Sequence, residues 1–456
     1  MLKSLLGRRQ TLKLLAGAAV LPALLAAPSA KAAQKPLRVL VLSDLHSAYE
    51  RMGQLLATIE NQVASSEATH LIVLNGDLFE SGNAVAARSG GEIDWAFLAA
   101  LSKLAPTVVN IGNHEPDLDN DLANFVTRAR ALGVTVLSNI IDKRTGAPYT
   151  QAMARLTLDG QPVTVAGFAT DAIKTYPKAT RDMLDIPPPA EWAKKNLPGI
   201  LGSDSINIVL SHAGVVADRD ILPILPDGTL IVGGHDHLNL TYEQGATRYV
   251  HTGSWSTAIT IATITAPAAA AALQRVDIDA TGAPSSTLKD LIAAVLGRHL
   301  TDEDRAVIGK TDRAMTVDEA GRFVADVMVK KAKADVGFIG HTSFGAGLPR
   351  GDVSRYNFNA SLRFEGKLMR TEVDATVLAA ILARCNQEGD IPLAARTGDY
   401  LHAAPVNPPK KERYTLVCND WSAINQKSYF GREDLVFSEL PDTKLKQTVI
   451  DALTAA

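Results

Sequence analysis

Cysteine is nearly absent from this chain: 456 residues hold only Cys385 and Cys418. Two thiols cannot build a structural zinc site without other ligands. They leave two arrangements open, one disulfide in an oxidising compartment or two separately buried cysteines. Long apolar runs are also lacking. Residues 14–27 are apolar apart from Gly17 and Pro22, fall short of the roughly 20 residues that cross a bilayer, and have no later equal. Charge of one sign is scarce too, with a formal net of −3, and beyond residue 32 there are 41 basic residues against 49 acidic ones, a net of −8. No Lys/Arg-rich stretch follows the N-terminus, so the basic footprint demanded by a nucleic-acid polymer is missing. No period of 20 to 50 residues recurs, which argues against a solenoid or propeller.

What is present is 46% hydrophobic and 21% charged residues, a composition that excludes a wholly disordered or collagen-like chain. The length predicts two domains. Residues 1–32 read as an export signal: Lys3, Arg8, Arg9 and Lys13 lead into the apolar run, and Ala30-Lys31-Ala32 is a small-x-small cleavage site. Arg8-Arg9 followed by Gln10, Thr11, Leu12 and Lys13 resembles a twin-arginine signal, which would carry a folded, metal-loaded protein. The expectation is a periplasmic or secreted protein with no membrane span after signal cleavage.

From Leu37 to about Gly234, short β-branched runs alternate with polar turns and potential helices, the pattern of an α/β domain. Runs 37–42, 71–74, 107–111, 206–210 and 229–232 do not alternate strictly with polar residues, so they predict strands buried on both faces. Pro187-Pro188-Pro189 predicts a rigid surface loop, residues 267–272 a turn between late strands, and residues 273–278 the final strand. Linker-like residues 281–287 then divide a domain over 33–280 from one over 288–456. In the latter, Thr316-Val317-Asp318-Glu319 is a capping-box sequence, and Ala320, Phe323, Val324, Val327 and Met328 recur as a helical core stripe.

The five early strands each run into a metal-competent group: Asp44-Leu45-His46, Gly76-Asp77, Gly112-Asn113-His114-Glu115, Ser211-His212, and Gly233-Gly234-His235-Asp236-His237. Carboxylate, amide and imidazole donors suit Zn, Mn, Fe, Co or Ni. Asp44 and His46, like His235 and His237, stand at i and i+2, which in extended backbone places both side chains on one face. Crevices beyond the carboxyl ends of strands collect ligand-binding loops in open α/β folds. Five of the ten histidines fall in these clusters, a concentration that chance does not explain. His70, His251, His299 and His402 read as structural.

In this order the residues resemble the calcineurin-like metallophosphoesterases, over about residues 37–256. The resemblance implies a four-layer α/β/β/α sandwich with a second, smaller α+β domain. It implies two divalent metal ions, the first held by Asp44, His46, Asp77 and His237 and the second by Asp77, Asn113, His212 and His235. Two adjacent ions lower the pKa of a bound water, orient it toward phosphorus and neutralise phosphoryl charge. His114 and Asp117 match the catalytic dyad of the 5′-nucleotidase branch, with Pro116 where that branch has an aromatic residue. The run 252–255 after His251 looks like a family strand.

Ala334-Asp335-Val336 and residues 345–353 resemble the 5′-nucleotidase C-terminal domain, which recognises substrate across an interdomain cleft. Two departures stand out. Gly340-His341-Thr342-Ser343-Phe344-Gly345 lacks the arginine of the family's Asn-Gly-Gly-x-x-Arg, and Arg363-Phe364-Glu365-Gly366 keeps only the aromatic of Pro-Phe-x-Asn. Phe364 and Tyr429 are candidates to sandwich a flat ligand or, equally, to pack. His341 and Arg350 are candidates to read a different anionic group. The expected substrate is a small phosphomonoester, nucleotides among them. A phosphodiesterase acting on cyclic nucleotides, a thiosulfohydrolase, and a non-catalytic periplasmic binding protein are the alternatives; metal identity and oligomeric state stay open.

Overall fold

The structure is a computed structural model that describes residues 35–455, which group as one compact unit. The predicted signal at residues 1–32 lies outside the described residues. In chain order, two sheets are built from β1 (Leu37–Leu42), β2 (Thr69–Asn75), β3 (Thr107–Asn110), β4 (Thr135–Leu137), β5 (Met153–Leu158), β6 (Gln161–Ala169), β7 (Ile206–His212), β8 (Leu230–Gly233), β9 (Asn239–Gln244), β10 (Thr247–Thr252), β11 (Ala258–Ile264) and β12 (Ala272–Asp277). Each sheet has six strands, in the orders β12-β11-β1-β2-β3-β4 and β9-β10-β8-β7-β6-β5. Their centres, β1-β2-β3-β4 and β6-β7-β8-β10, are parallel.

Side-chain alternation explains the layering. Val39, Val41, Leu71 and Val73 point between the sheets and meet Val163, Val165, Ile208, Leu210 and Val232 of the other sheet. Their neighbours Leu40, Leu42, Ile72 and Leu74 point outward, under helices α1 (Tyr49–Ala64), α2 (Glu92–Leu104) and α3 (Leu122–Ala131). On the opposite flank, Ala166, Phe168, Val209 and Ile231 lie under α4 (Pro189–Ile200) and α5 (Val215–Ile221). The result is helix, sheet, sheet, helix, and each buried Val, Leu or Ile contributes about 1.5–3 kcal/mol. Burial on both faces is why these strands carry no polar alternation.

Two local details depart from expectation. Pro189 opens α4 instead of staying in a loop; at a first helical position its missing N–H is no loss. Residues 253–256 form a turn, with Trp255 (φ 58°) and Ser256 (φ 54°) left-handed, and the strand ends at Thr252. The expected final strand is present as β12, a largely exposed edge paired only with β11.

After residues 281–287, α6 (Lys289–His299) packs Val295 and Ile292 back onto the helices that cover the first sheet. The second lobe is a five-stranded sheet of β13 (Val336–Gly340), β14 (Lys367–Asp374), β15 (Leu401–Ala404), β16 (Arg413–Asn419) and β17 (Ser438–Lys444), in the order β15-β13-β16-β14-β17. One face is covered by α7 (Val317–Ala332) and α8 (Leu445–Thr454). Thr316 and Glu319 form the reciprocal cap of α7, and Ala320, Val324, Val327 and Met328 are its buried stripe, with Phe323 partly buried beside them. Cys385 and Cys418 lie in the core on the other face, both free.

Candidate metal centre

The carboxyl ends of β1, β2, β3, β7 and β8 converge, and the loops that follow them are laced together by their backbones. Asp44 N donates to Gly76 O at 3.1 Å, His46 N to Asp77 O at 3.0 Å, and Ser47 N to Leu78 O at 2.9 Å. Five of the seven candidate donors do not sit in extended backbone: Asp44 (φ 53°), His46 (49°), Asp77 (57°), His235 (76°) and His237 (58°) are all left-handed. The pleat therefore does not align Asp44 with His46; a strained turn does, held by the neighbouring loop. Gly112 is required by close approach, because a Cβ there would collide with Asp77 Oδ1 and meet His212 Nε2 at 2.8 Å.

Asp44, His46, Asp77 and His237 form one buried group able to hold a cation, and Asp77, His212 and His235 another, with Asp77 common to both. His46 Nε2 faces His237 Nε2 at 2.8 Å, and Asp77 Oδ2 lies 3.7 Å from His46 Nε2 and 3.2 Å from His212 Nε2. Asn113 Oδ1 joins the second group, 2.8 Å from His235 Nδ1 and 3.2 Å from His212 Nε2. All seven predicted donors are thus brought together.

Buried partners orient this set. His212 Nδ1 lies 2.7 Å from Asn75 O, which engages that nitrogen and turns Nε2 toward Asp77 and Asn113, where it can ligate a shared cation. Glu115 accepts from Gly112 N at 2.6 Å, Leu78 N at 2.9 Å and Asp77 N at 3.1 Å, pinning two loops with one carboxylate. Asn110 Nδ2 donates to Asn75 Oδ1 (3.0 Å), Phe168 O (3.0 Å) and Leu210 O (3.2 Å), while Asn75 Nδ2 donates to Ser211 O (2.9 Å) and Val232 O (3.0 Å). These amides span both sheets.

Burial, reinforced by the Arg363 guanidinium, holds His46 and His237 well below the ordinary histidine range, so both rings are neutral, the form that ligates metals. Burial and His212 press His235 down to about 3. His237 Nδ1 is buried without a partner. Neutral facing imidazoles, two buried carboxylates and an amide oxygen fit first-row divalent cations.

His114 stands at the edge of this group. Its Nδ1 is 2.9 Å from Asp117 Oδ2, which also accepts from Ser81 N at 2.8 Å, and its backbone N–H donates to Asp77 Oδ1 at 2.9 Å. Against burial, the Asp117 and Asp77 carboxylates raise the ring to about 9. It opens onto a cavity of about 460 Å³ between the lobes, lined also by Lys174, Lys178, Arg181, Arg363, Phe364 and Trp421.

The second lobe holds the surprises. Arg363, unassigned from sequence, is 6% exposed and reaches the metal-competent group: Nε donates to Glu80 Oε2 at 2.8 Å, and Nη2 lies 3.2 Å from His46 Nδ1 and 3.4 Å from His114 Nε2. An arginine in the place of a proline, beside a candidate stacking aromatic, was the available signal. Phe364 is 44% exposed and lines the cavity. Tyr429 does not: it is buried, its hydroxyl bonded to Asp399 and accepting from Trp421 Nε1 at 3.1 Å, so Trp421 presents the aromatic face instead. His341 is buried and Arg350 exposed, and neither lines that cavity.

Residues 37–239 match the family model of the calcineurin-like phosphoesterases, so the chain carries a phosphoesterase domain of that family. Over 234 residues it is 31% identical to a 2′,3′-cyclic-nucleotide 2′-phosphodiesterase/3′-nucleotidase of Salmonella typhimurium, an alignment covering 44% of this chain and 35% of that protein. The fold of nearly the whole chain is shared with a 5′-nucleotidase precursor from Thermus thermophilus (17% identity, 92% of this chain, 96% of that chain, TM-score 0.63). It is shared equally with a sulfate thiohydrolase from the same organism (14% identity, 92% of this chain, 94% of that chain, TM-score 0.65). Among the described residues no helix is long and apolar enough to cross a membrane.

Proposed function

Because the chain carries a calcineurin-like phosphoesterase domain, we propose that it is a metal-dependent phosphoester hydrolase that removes phosphate from small phosphomonoesters, 5′-nucleotides among them. The observation that carries this reading is the sharing of Asp77 by two cation-competent groups with His114 directly beside them. Asp44, His46, Asp77 and His237 would hold one divalent ion and Asp77, Asn113, His212 and His235 a second. Such a pair supplies an activated water and neutralises phosphoryl charge.

The chain's own residues do the rest. His114, protonated and anchored through Nδ1 by Asp117, presents Nε2 to the cavity and hands a proton or hydrogen bond to the leaving oxygen. Arg363, held by Glu80, places a guanidinium beside that ring, where it grips a phosphoryl oxygen. This supplies from residue 363 the cation that Gly345 cannot. Phe364 and Trp421 offer flat faces for a base, and Lys174, Lys178 and Arg181 offer charge for further anionic groups. In this reading residues 288–456 recognise substrate and residues 281–287 link the two domains. The N-terminal 32 residues direct export, by the twin-arginine route, to the periplasm or beyond.

A second reading, hydrolysis of cyclic nucleotides, is favoured by the Salmonella relative. The metal-reconstituted protein should be assayed on aryl phosphate, aryl phosphodiester, AMP, ATP and 2′,3′-cyclic AMP, with Asp77→Asn alongside. Monoester turnover abolished by the substitution is expected. Turnover of diesters alone would establish the second reading, and none with any metal would leave a binding protein.

A further inference from the structure

We propose that Asp318, His341 and His402 form a separate metal site in the second lobe, for one first-row divalent cation such as zinc. Their donor atoms lie within 4.8 Å of one another. Each comes from a different element: Asp318 from the capped first turn of α7, His341 from the end of β13, and His402 from β15.

The geometry repeats that of the main centre. His341 Nδ1 faces His402 Nε2 at 3.2 Å and lies 3.9 Å from Asp318 Oδ1. In the main centre His46 and His237 face at 2.8 Å, and His237 lies 3.9 Å from Asp44 Oδ1. Two ring nitrogens about 2.0–2.1 Å from one tetrahedral zinc stand about 3.3 Å apart. His341 Nε2 is directed at His237 O, 3.5 Å away, which commits that nitrogen to the proton and leaves Nδ1 as a lone pair. Tyr400 stacks on the His341 ring at 4.5 Å and donates its hydroxyl to Asp318 Oδ1 at 3.0 Å, so one side chain steadies two donors.

His402 is wholly buried, and its Nδ1 has no partner. Its ring occupies space that only glycine leaves free: a Cβ at Gly321, in the middle of α7, would collide with His402 Cδ2. A glycine inside a helix is unfavourable by roughly 1 kcal/mol against alanine, and here it makes room for an imidazole. Burial keeps both rings below the usual histidine range, hence neutral and ready to ligate. Asp318 and His341 line a cavity of about 870 Å³, from which water or another small ligand can complete the coordination. Two imidazoles and one carboxylate, without thiolate, make a donor set for zinc, iron, cobalt or nickel. Through His341 and the His237 carbonyl, a cation there braces the loop that carries a main-centre donor.

The test is metal content by elemental analysis after saturation with zinc or cobalt and gel filtration, in the full mature chain and in Asp318→Asn, His341→Ala and His402→Gln. Each variant should carry one equivalent less than wild type, and the cobalt form should lose part of its tetrahedral absorption. If His402→Gln does not fold, Asp318→Asn, altered at a partly exposed turn, decides alone. Equal metal content in wild type and the folded variants would overturn the site and leave a plain hydrogen bond between two histidines. Metal content does not depend on turnover, so failure here is distinguishable from failure of the hydrolase reading.

Discussion

In the first lobe the candidate metal donors sit within a few residues of a strand's carboxyl end, five of the seven on left-handed backbone, in loops cross-laced by main-chain hydrogen bonds. In the second lobe the groups that reach the cavity, Arg363, Phe364 and Trp421, are single side chains at the margins of elements, carried by a sheet with its own core. A catalytic floor fixed by backbone tolerates little change in any residue, whereas a wall made of side chains can be rebuilt one position at a time. Arg363 illustrates this, because the guanidinium beside His114 comes from residue 363, while position 345 is a glycine.

That contrast can be broken by experiment. Asp77→Asn should have the largest effect, abolishing turnover of every substrate and lowering bound metal, while circular dichroism stays native. His114→Ala should leave metal content intact and reduce kcat about 10²–10⁴-fold, most for substrates with poor leaving groups; an effect on KM alone would remove it from the chemistry. Arg363→Ala leaves Glu80 buried and uncompensated, so about 3–5 kcal/mol of stability should be lost by denaturant unfolding. The double variant Arg363→Met with Glu80→Gln should recover much of that stability without recovering activity, separating the two roles of the arginine. Trp421→Ala should weaken nucleotides by about 1–3 kcal/mol through lost stacking and leave aryl phosphates unaffected. Equal losses on both would mean that Trp421 only supports Tyr429.

The same contrast explains what the sequence disclosed. Buried parallel strands declare themselves by unbroken β-branched runs, and β1, β2, β3, β7 and β8 appear within two residues of their expected limits. β4, β5, β6, β9, β10 and β11 were not read from pattern. Gly167 interrupts β6, β9 is largely exposed, and β11 mixes threonine with isoleucine, so none gives a continuous apolar run. All seven proposed metal donors were legible in the sequence because strand topology carries motif order into space. Arg363, Glu80 and Trp421 were not, since their proximity depends on how the second lobe lies against the first. Tyr429 was read as a stacking face or, equally, as a packing residue; its hydroxyl is engaged in the interior and the ring serves as backing for Trp421. His402 was read as structural, and only its approach to His341 gives it chemical significance.

Asn75 and Asn110 lie between the two sheets with their amides spread over carbonyls of β6, β7 and β8. A slip of one sheet past the other by a single residue would strand several polar groups in a dry interior at once. The pair therefore works as an alignment pin: the spacing between donors on opposite sheets is set during assembly of the sandwich, before any ligand arrives. Misregistered chains would be both unstable and inactive, so correct folding and a competent centre become the same event.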